Sequence, residues 1–193
     1  MKHLVLGAAV AACAASVAAP ARAMDMFVEG ALGAVFASDV DVAGTSQTAE
    51  ADANAFIALG VADVGGVVDI RLEYATTDRT YEDSLFAQLQ SSSLMLNASA
   101  DFAHLGPVDL YAGGGLGVVD VEFHGMPFFF DGVEGSETVV GWQLVGGARA
   151  QMFSSPFSIF GEFRYQDAAD ATIDGVDIEY NSTSFMGGVR WTF

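Results

Sequence analysis

The sequence predicts an all-β fold: an eight-stranded antiparallel up-and-down barrel that spans a membrane. Three observations carry this. Apolar and polar residues alternate with period two in eight segments of about ten residues. The connections between those segments are short and long in turn. The apolar stripe carries no charge through the middle of any segment, although 17% of the chain is charged.

Residues 1–23 read as a cleaved secretory signal. Lys2 is the positive start, Leu4 to Val17 is apolar and Ala-rich, and Ala21-Arg22-Ala23 fits a small-residue cleavage site after Pro20. Val10-Ala11-Ala12-Cys13 loosely fits a lipoprotein signal, but its preceding apolar stretch is short. Cleavage after Ala23 leaves a barrel domain of residues 24–193 with no Cys and no Lys. It holds five Arg against 25 acids, a formal charge of −20. Disulfides and thiol chemistry are excluded there. Nucleic acid is excluded as a partner, because neutralising phosphates needs clustered Lys and Arg. Hydrophobic residues at 52% exclude wholesale disorder.

The segments follow in order. Residues 26–36 set Val28, Leu32 and Phe36 against Glu29. Residues 54–62 set Ile57, Leu59 and Val61 against Phe56, Ala58 and Gly60. Residues 67–77 are the clearest, with Val68, Ile70, Leu72 and Tyr74 opposing Asp69, Arg71 and Glu73. In 91–103, Leu94, Leu96, Ala98, Ala100 and Phe102 oppose Asn97, Ser99 and Asp101. In 108–119, Leu110, Leu116 and Val118 oppose Tyr111, Gly113, Gly115 and Gly117. In 138–152, Val140, Trp142, Leu144, Gly146 and Ala148 oppose Gln143, Arg149 and Gln151. In 157–167, Ile159, Gly161, Phe163 and Tyr165 oppose Glu162, Arg164 and Gln166. In 180–193, Phe185, Val189, Trp191 and Phe193 oppose Ser184, Met186, Arg190 and Thr192.

Three connections are short: Asp63–Gly66, His104–Pro107 and Phe153–Pro156. Four are long: 37–53, 78–90, 120–137 and 168–179. Even strand number, short turns at one end and long loops at the other are the plan of a bacterial outer-membrane barrel. The expected location is the outer membrane of a Gram-negative cell, with termini in the periplasm and long loops outside.

A soluble barrel would crowd its polar face with charge, Lys included. Here the polar parity is sparse and nearly balanced. Glu29, Asp69, Glu73, Asp101 and Glu162 stand against Arg71, Arg149, Arg164 and Arg190, and the expectation is a paired network that plugs a narrow lumen. Aromatics on the apolar parity fall near segment ends. Phe102, Phe157, Trp191 and Phe193 lie toward the turns; Phe36, Tyr74, Trp142 and Tyr165 lie toward the loops. Two such rings are the girdles of a membrane barrel.

The final segment, Ser184-Phe185-Met186-Gly187-Gly188-Val189-Arg190-Trp191-Thr192-Phe193, resembles the C-terminal assembly signal of outer-membrane barrels. Phe185, Val189, Trp191 and the closing Phe193 carry that likeness. With Tyr111-Ala112-Gly113-Gly114-Gly115-Leu116-Gly117, it makes residues 24–193 similar to small barrels of the opacity-protein, OmpX and OmpA transmembrane-domain type. The resemblance implies insertion by the barrel assembly machinery. It also implies a role in envelope integrity, adhesion or host-surface contact through the outer loops. Expected partners are outer-membrane lipid, lipopolysaccharide and an unidentified extracellular ligand, and the expected state is a monomer.

Neither catalysis nor a cofactor is expected. A lipid-modifying barrel needs a His near a Ser and a carboxylate at the outer rim. His104 falls at a turn, and His124, near Asp120, Glu122 and Ser136, has no compact Ser partner in sequence. The long loops hold many acids, among them Asp39, Asp41, Glu50, Asp78, Glu82, Asp131, Asp174 and Glu179. None shows the twelve-residue calcium spacing, so a solvated acidic rim is expected and no metal site. The apolar stretch Met126–Gly132 is expected to fold over the barrel mouth or extend its hairpin. The competing expectation is a small diffusion pore, with Gly113, Gly115 and Gly117 leaving room for water.

Overall fold

The computed structural model describes residues 25–37, 39–42, 45–48, 52–81, 87–124, 134–152, 155–173 and 176–193. The signal at 1–23, the Met126–Gly132 stretch and the loop acids Glu50, Glu82, Asp131 and Asp174 lie outside them. So do the side chains of Phe36, Asp39, Asp41, Asp78, His124 and Glu179.

The described residues form strands β1 (Met26–Ala37), β2 (Asp39–Val42), β3 (Thr45–Thr48), β4 (Asp52–Val64) and β5 (Val68–Tyr81). They continue as β6 (Ala87–Leu105), β7 (Val108–His124), β8 (Glu134–Gln151), β9 (Phe157–Ile173) and β10 (Val176–Thr192). Eight long strands, β1 and β4 through β10, pair antiparallel with their neighbours in sequence. β1 then pairs with β10, Val28 facing Trp191 and Gly30 facing Val189, which closes the barrel. Backbone bonds between Met26 and Phe193 in both directions, 3.1 and 2.8 Å, fasten the seam at its turn end.

The alternation sorts as its chemistry requires. Leu32, Ile57, Leu96, Leu116, Val140, Leu144, Phe163 and Phe185 are exposed on the outside. Glu29, Arg71, Glu73, Asn97, Gln143, Glu162, Arg164 and Arg190 are buried inside. That is the reverse of a water-soluble barrel, and it suits an outer face solvated by hydrocarbon. The girdle aromatics whose side chains are described face out. Trp191 lies 6.3 Å from Phe157 and 4.9 Å from Phe193 at the turn end, and Trp142 lies 5.5 Å from Tyr165 at the loop end.

Strands run further than their sequence segments. About 9–11 residues cross a bilayer, yet β6 has 19 and β7, β9 and β10 have 17. The surplus sits at the loop end, inside what the sequence suggests are loops. β9 and β10 pair to Ile173–Val176, leaving two residues between them. The first loop contains the β2–β3 hairpin, which joins the wall through Ile178–Val42. The reason is visible on β7 and β8, where polarity inverts along each strand. Val119, Val121 and Val139 are buried inside, while Asp120, Glu122 and Thr138 face out. Above the apolar belt the outer solvent is water, so the ladder continues with ordinary inside-apolar packing.

This change of outer solvent sets a prediction on one strand. Leu144→Arg, mid-belt on the outer face, should cost about 2–4 kcal/mol, and Thr138→Arg, on the same face above the belt, about 0–1 kcal/mol. Urea unfolding in lipid vesicles, read by the gel shift of the folded barrel, checks the difference. Equal losses would mean that the outer face meets one solvent throughout.

Candidate functional site

The densest chemistry lies in the lumen. β5 and β9 stand on opposite walls, four strands apart in the closed order. Period-two alternation sends Arg71 and Glu73 inward from β5, and Glu162 and Arg164 inward from β9. They meet in a four-membered ring. Arg71 Nη2 donates to both Glu162 oxygens at 2.9 and 2.8 Å and lies 3.3 Å from Glu73 Oε2. Arg164 donates to Glu73 at 2.5 and 3.1 Å and to Glu162 at 2.6 Å. All four side chains are at most 5% exposed.

A chain of alternating charge leads from this ring toward the turns. Arg71 Nη1 reaches Glu29 at 3.0 Å. Arg190 Nε lies 3.4 Å from Glu29, an ion pair without a hydrogen bond, and its Nη2 donates to Asp69 at 2.7 Å. Arg149 donates to Asp69 at 3.2 Å and to Asp101 at 2.8 and 3.2 Å. The structure thus brings together all nine charged residues singled out in the sequence. Asp69 also accepts the Asp63 backbone N–H at 3.1 Å. Asp63 has φ 54°, where an Asp can stand through such local bonding, and Gly65 and Gly66 complete the turn with positive φ.

The sequence places the amides Asn97 and Gln143 in the lumen, but sequence reasoning missed the aromatic partners that complete the cluster. Each guanidinium lies over an aromatic ring: Arg190 on Phe27 at 3.4 Å, Arg164 on Phe56 at 4.5 Å, Arg71 on Phe56 at 5.4 Å and Arg149 on Tyr111 at 5.7 Å. Tyr111 donates to Glu162 at 3.0 Å, and Gln143 donates to Glu73 at 3.2 Å and to Asn97 at 2.6 Å. The available signal was parity, since Phe27, Phe56 and Tyr111 stand on the polar side of their segments.

The glycines of β7 do not line open space. A Cβ at Gly115 or Gly117 would strike β6, meeting Asn97 at one and Met95 at the other. Glycine is needed there because β6 side chains lie across β7. The cavity among the ionic groups, between Glu29, Asp69, Ser99 and Tyr111, has a volume of about 10 Å³, the room for about one water.

The proposed assembly-signal residues Phe185, Val189, Trp191 and Phe193 all face outward, 46–55% exposed. Among the described residues no group of three or more His, Cys, Asp or Glu could hold a metal. His104 lies at the β6–β7 turn, its Nδ1 2.7 Å from Asp109 Oδ1. His124 lies in β7 opposite Glu134.

No family model matches the chain, and no curated protein matches it. Solved structures do. Neisserial surface protein A is 16% identical over 88% of this chain and 97% of its own, with a TM-score of 0.64. A major outer membrane protein of Thermus thermophilus is 12% identical over 89% and 100%, with 0.61. Ail, the attachment invasion locus protein of Yersinia pestis, is 14% identical over 88% and 99%, with 0.54.

The cluster and the turn can each be tested. Glu162→Ala leaves two buried guanidiniums short of a partner and should cost about 3–5 kcal/mol. Asp101→Ala, at the part-exposed end of the chain, should cost about 1 kcal/mol or less. Unfolding in lipid vesicles ranks the two, and a larger loss at Asp101 would contradict the ring as the anchor. At the turn, the hydrogen bond and charge of Asp109 raise the His104 pKa above its ordinary value. A raised pKa makes this pair stabilising below about 6.5, and the contribution fades as pH rises through the raised value. NMR titration should show the His104 midpoint fall in Asp109→Asn; an unmoved midpoint would contradict the pairing.

The chain has the fold of the small eight-stranded outer-membrane barrels, the group its sequence resembles.

Proposed function

We propose that this protein is a bacterial outer-membrane barrel that serves at the cell surface as a structural or interaction protein, without catalysis and without steady ion flow. The observation that carries the reading is the reversed barrel: an uncharged apolar belt outside and a paired ionic cluster filling the lumen. The belt fits lipid, and the filled lumen fits a scaffold better than a pore. The long-strand end, with Asp120, Glu122 and Asp170 exposed, faces outside the cell. The turns and both ends of the barrel chain face the periplasm. The aromatic final strand is read by the barrel assembly machinery, and the barrel works as a monomer among outer-membrane lipid and lipopolysaccharide. An acidic outer rim favours a ligand that is basic or brings its own cations.

One structural neighbour, Ail, is by name an attachment protein. An adhesin-like role for this chain rests on that analogy and on its acidic outer end.

Planar-bilayer recording tests the reading directly. The purified protein, folded as judged by its gel shift before boiling, should give no steady conductance. Reproducible ohmic openings of the wild-type chain would favour the porin-like alternative. An epitope tag placed in 125–133 should be reached by antibody on intact cells; a tag seen only after permeabilisation would reverse the orientation.

A further inference from the structure

We infer that the lumen is sealed twice, and that Tyr180 is the second seal, at the loop end and independent of the ionic ring. The inference rests on the non-conducting reading above and assigns its residues. β6 and β10 are diametrically opposite in the closed order. Tyr180 on β10 reaches across that diameter to Ser91 on β6, with 3.0 Å between the two hydroxyl oxygens. Its side chain is buried, 2% exposed, although it lies on the water side of the polarity inversion.

The layer beneath it is packed with apolar and uncharged polar side chains, Asn54, Ser93, Gln166, Ser182 and Ser184 among the latter. Val119 pairs across strands with Val139 and with Ser93, and Val121 pairs with Ser91. Val119, Val121 and Met95 are fully buried. Met95 bends over Gly117 toward Gly141, filling the lumen from β6 to β8. Among the buried described residues between the ionic ring and the Ser91–Tyr180 contact, none is charged; Glu137, on the inward parity of β8, stands level with Ser91.

The two layers block an ion for different reasons. In the ring, fixed charges occupy the lumen and are already paired. In the Tyr180 layer the obstacle is steric: a buried phenol held across the lumen, over close-packed Met95, Val119 and Val121, leaves no room for a hydrated ion. Breaking the ring therefore admits water to the turn-side half only.

The test is a conductance series on the full barrel. Wild type, the Glu73→Ala/Arg164→Ala double variant and Tyr180→Ala alone should all stay closed. The triple variant should show steady conductance. Steady current in the double variant with Tyr180 intact would overturn the inference, and so would a closed triple variant. Current in the wild type would sink the non-conducting reading instead, so the two failures are distinguishable. If the ring variants do not fold, a thiol reporter keeps the question open to refutation with the ring intact. Ser93→Cys, just beneath Tyr180, should not react with a membrane-impermeant reagent added from the loop side. It should react to completion when combined with Tyr180→Ala and stay unreactive with Tyr180→Phe, which keeps the bulk of the ring. Equal labelling with and without Tyr180→Ala would overturn the second seal.

Discussion

A strand placed in hydrocarbon must find partners for its backbone N–H and C=O groups within the protein. Closure between β1 and β10 meets that demand, and the rest of the molecule follows from it. Once the sheet is closed, every strand has an inside and an outside, and side chains alternate between them except at bulges. An eight-stranded barrel is too narrow for an aqueous channel, so inward side chains must pack as a core. Polar groups can belong to that core only if they satisfy one another.

The ionic cluster shows how that is done. Its ring joins opposite walls, β5 to β9, with two guanidiniums and two carboxylates, so its formal charge cancels where burial is greatest. The extension from Arg71 then alternates: Glu29, Arg190, Asp69, Arg149, Asp101. An alternating chain that ends in a carboxylate has one acid more than the ring requires. The surplus falls at Asp101, whose side chain is 29% exposed, where water can solvate it. The arginine geometry matters too. A planar fork can donate to two carboxylates at once and lie flat on Phe27 or Phe56, which a lysine ammonium cannot do. Buried ion pairs are weak stabilisers against an apolar core of equal volume. What this cluster contributes is register: a strand slipped by one residue would turn Arg71 or Arg164 into lipid.

Much of the barrel was legible in the sequence, because period-two alternation is the direct imprint of two solvents. Arg71 and Leu72 are neighbours in sequence and lie on opposite sides of the wall, and their chemistry alone says so. The pairing within the lumen was legible only as a set of nine charges, since which acid meets which arginine depends on the wall-to-wall geometry. The inward aromatics were harder to read because Phe56 looks the same whether it faces lipid or a guanidinium. The strand extensions escaped for a related reason. Beyond Val118 and Val140 the outer solvent changes to water, so the alternation persists with its meaning reversed, and a reading tuned to one meaning ends the strand there. For β9 and β10, Asp174-Gly175 was an available signal, since Asp-Gly between alternating segments favours a two-residue hairpin.

The same reversal separates the parts of the molecule by the work they can do. In the belt, outer positions are constrained by lipid and inner ones by the ring, and neither face is free to recognise anything. Every arginine whose side chain is described points into the lumen, so the barrel's cations are spent on its own carboxylates. The outer extensions keep acids that the lumen does not need, on strands already held by their ladders and by Val119, Val121 and Tyr180 within. A binding surface there would be rigid at its base and charged with one sign. Its specificity would then come from the connections at the tips rather than from the barrel that carries them.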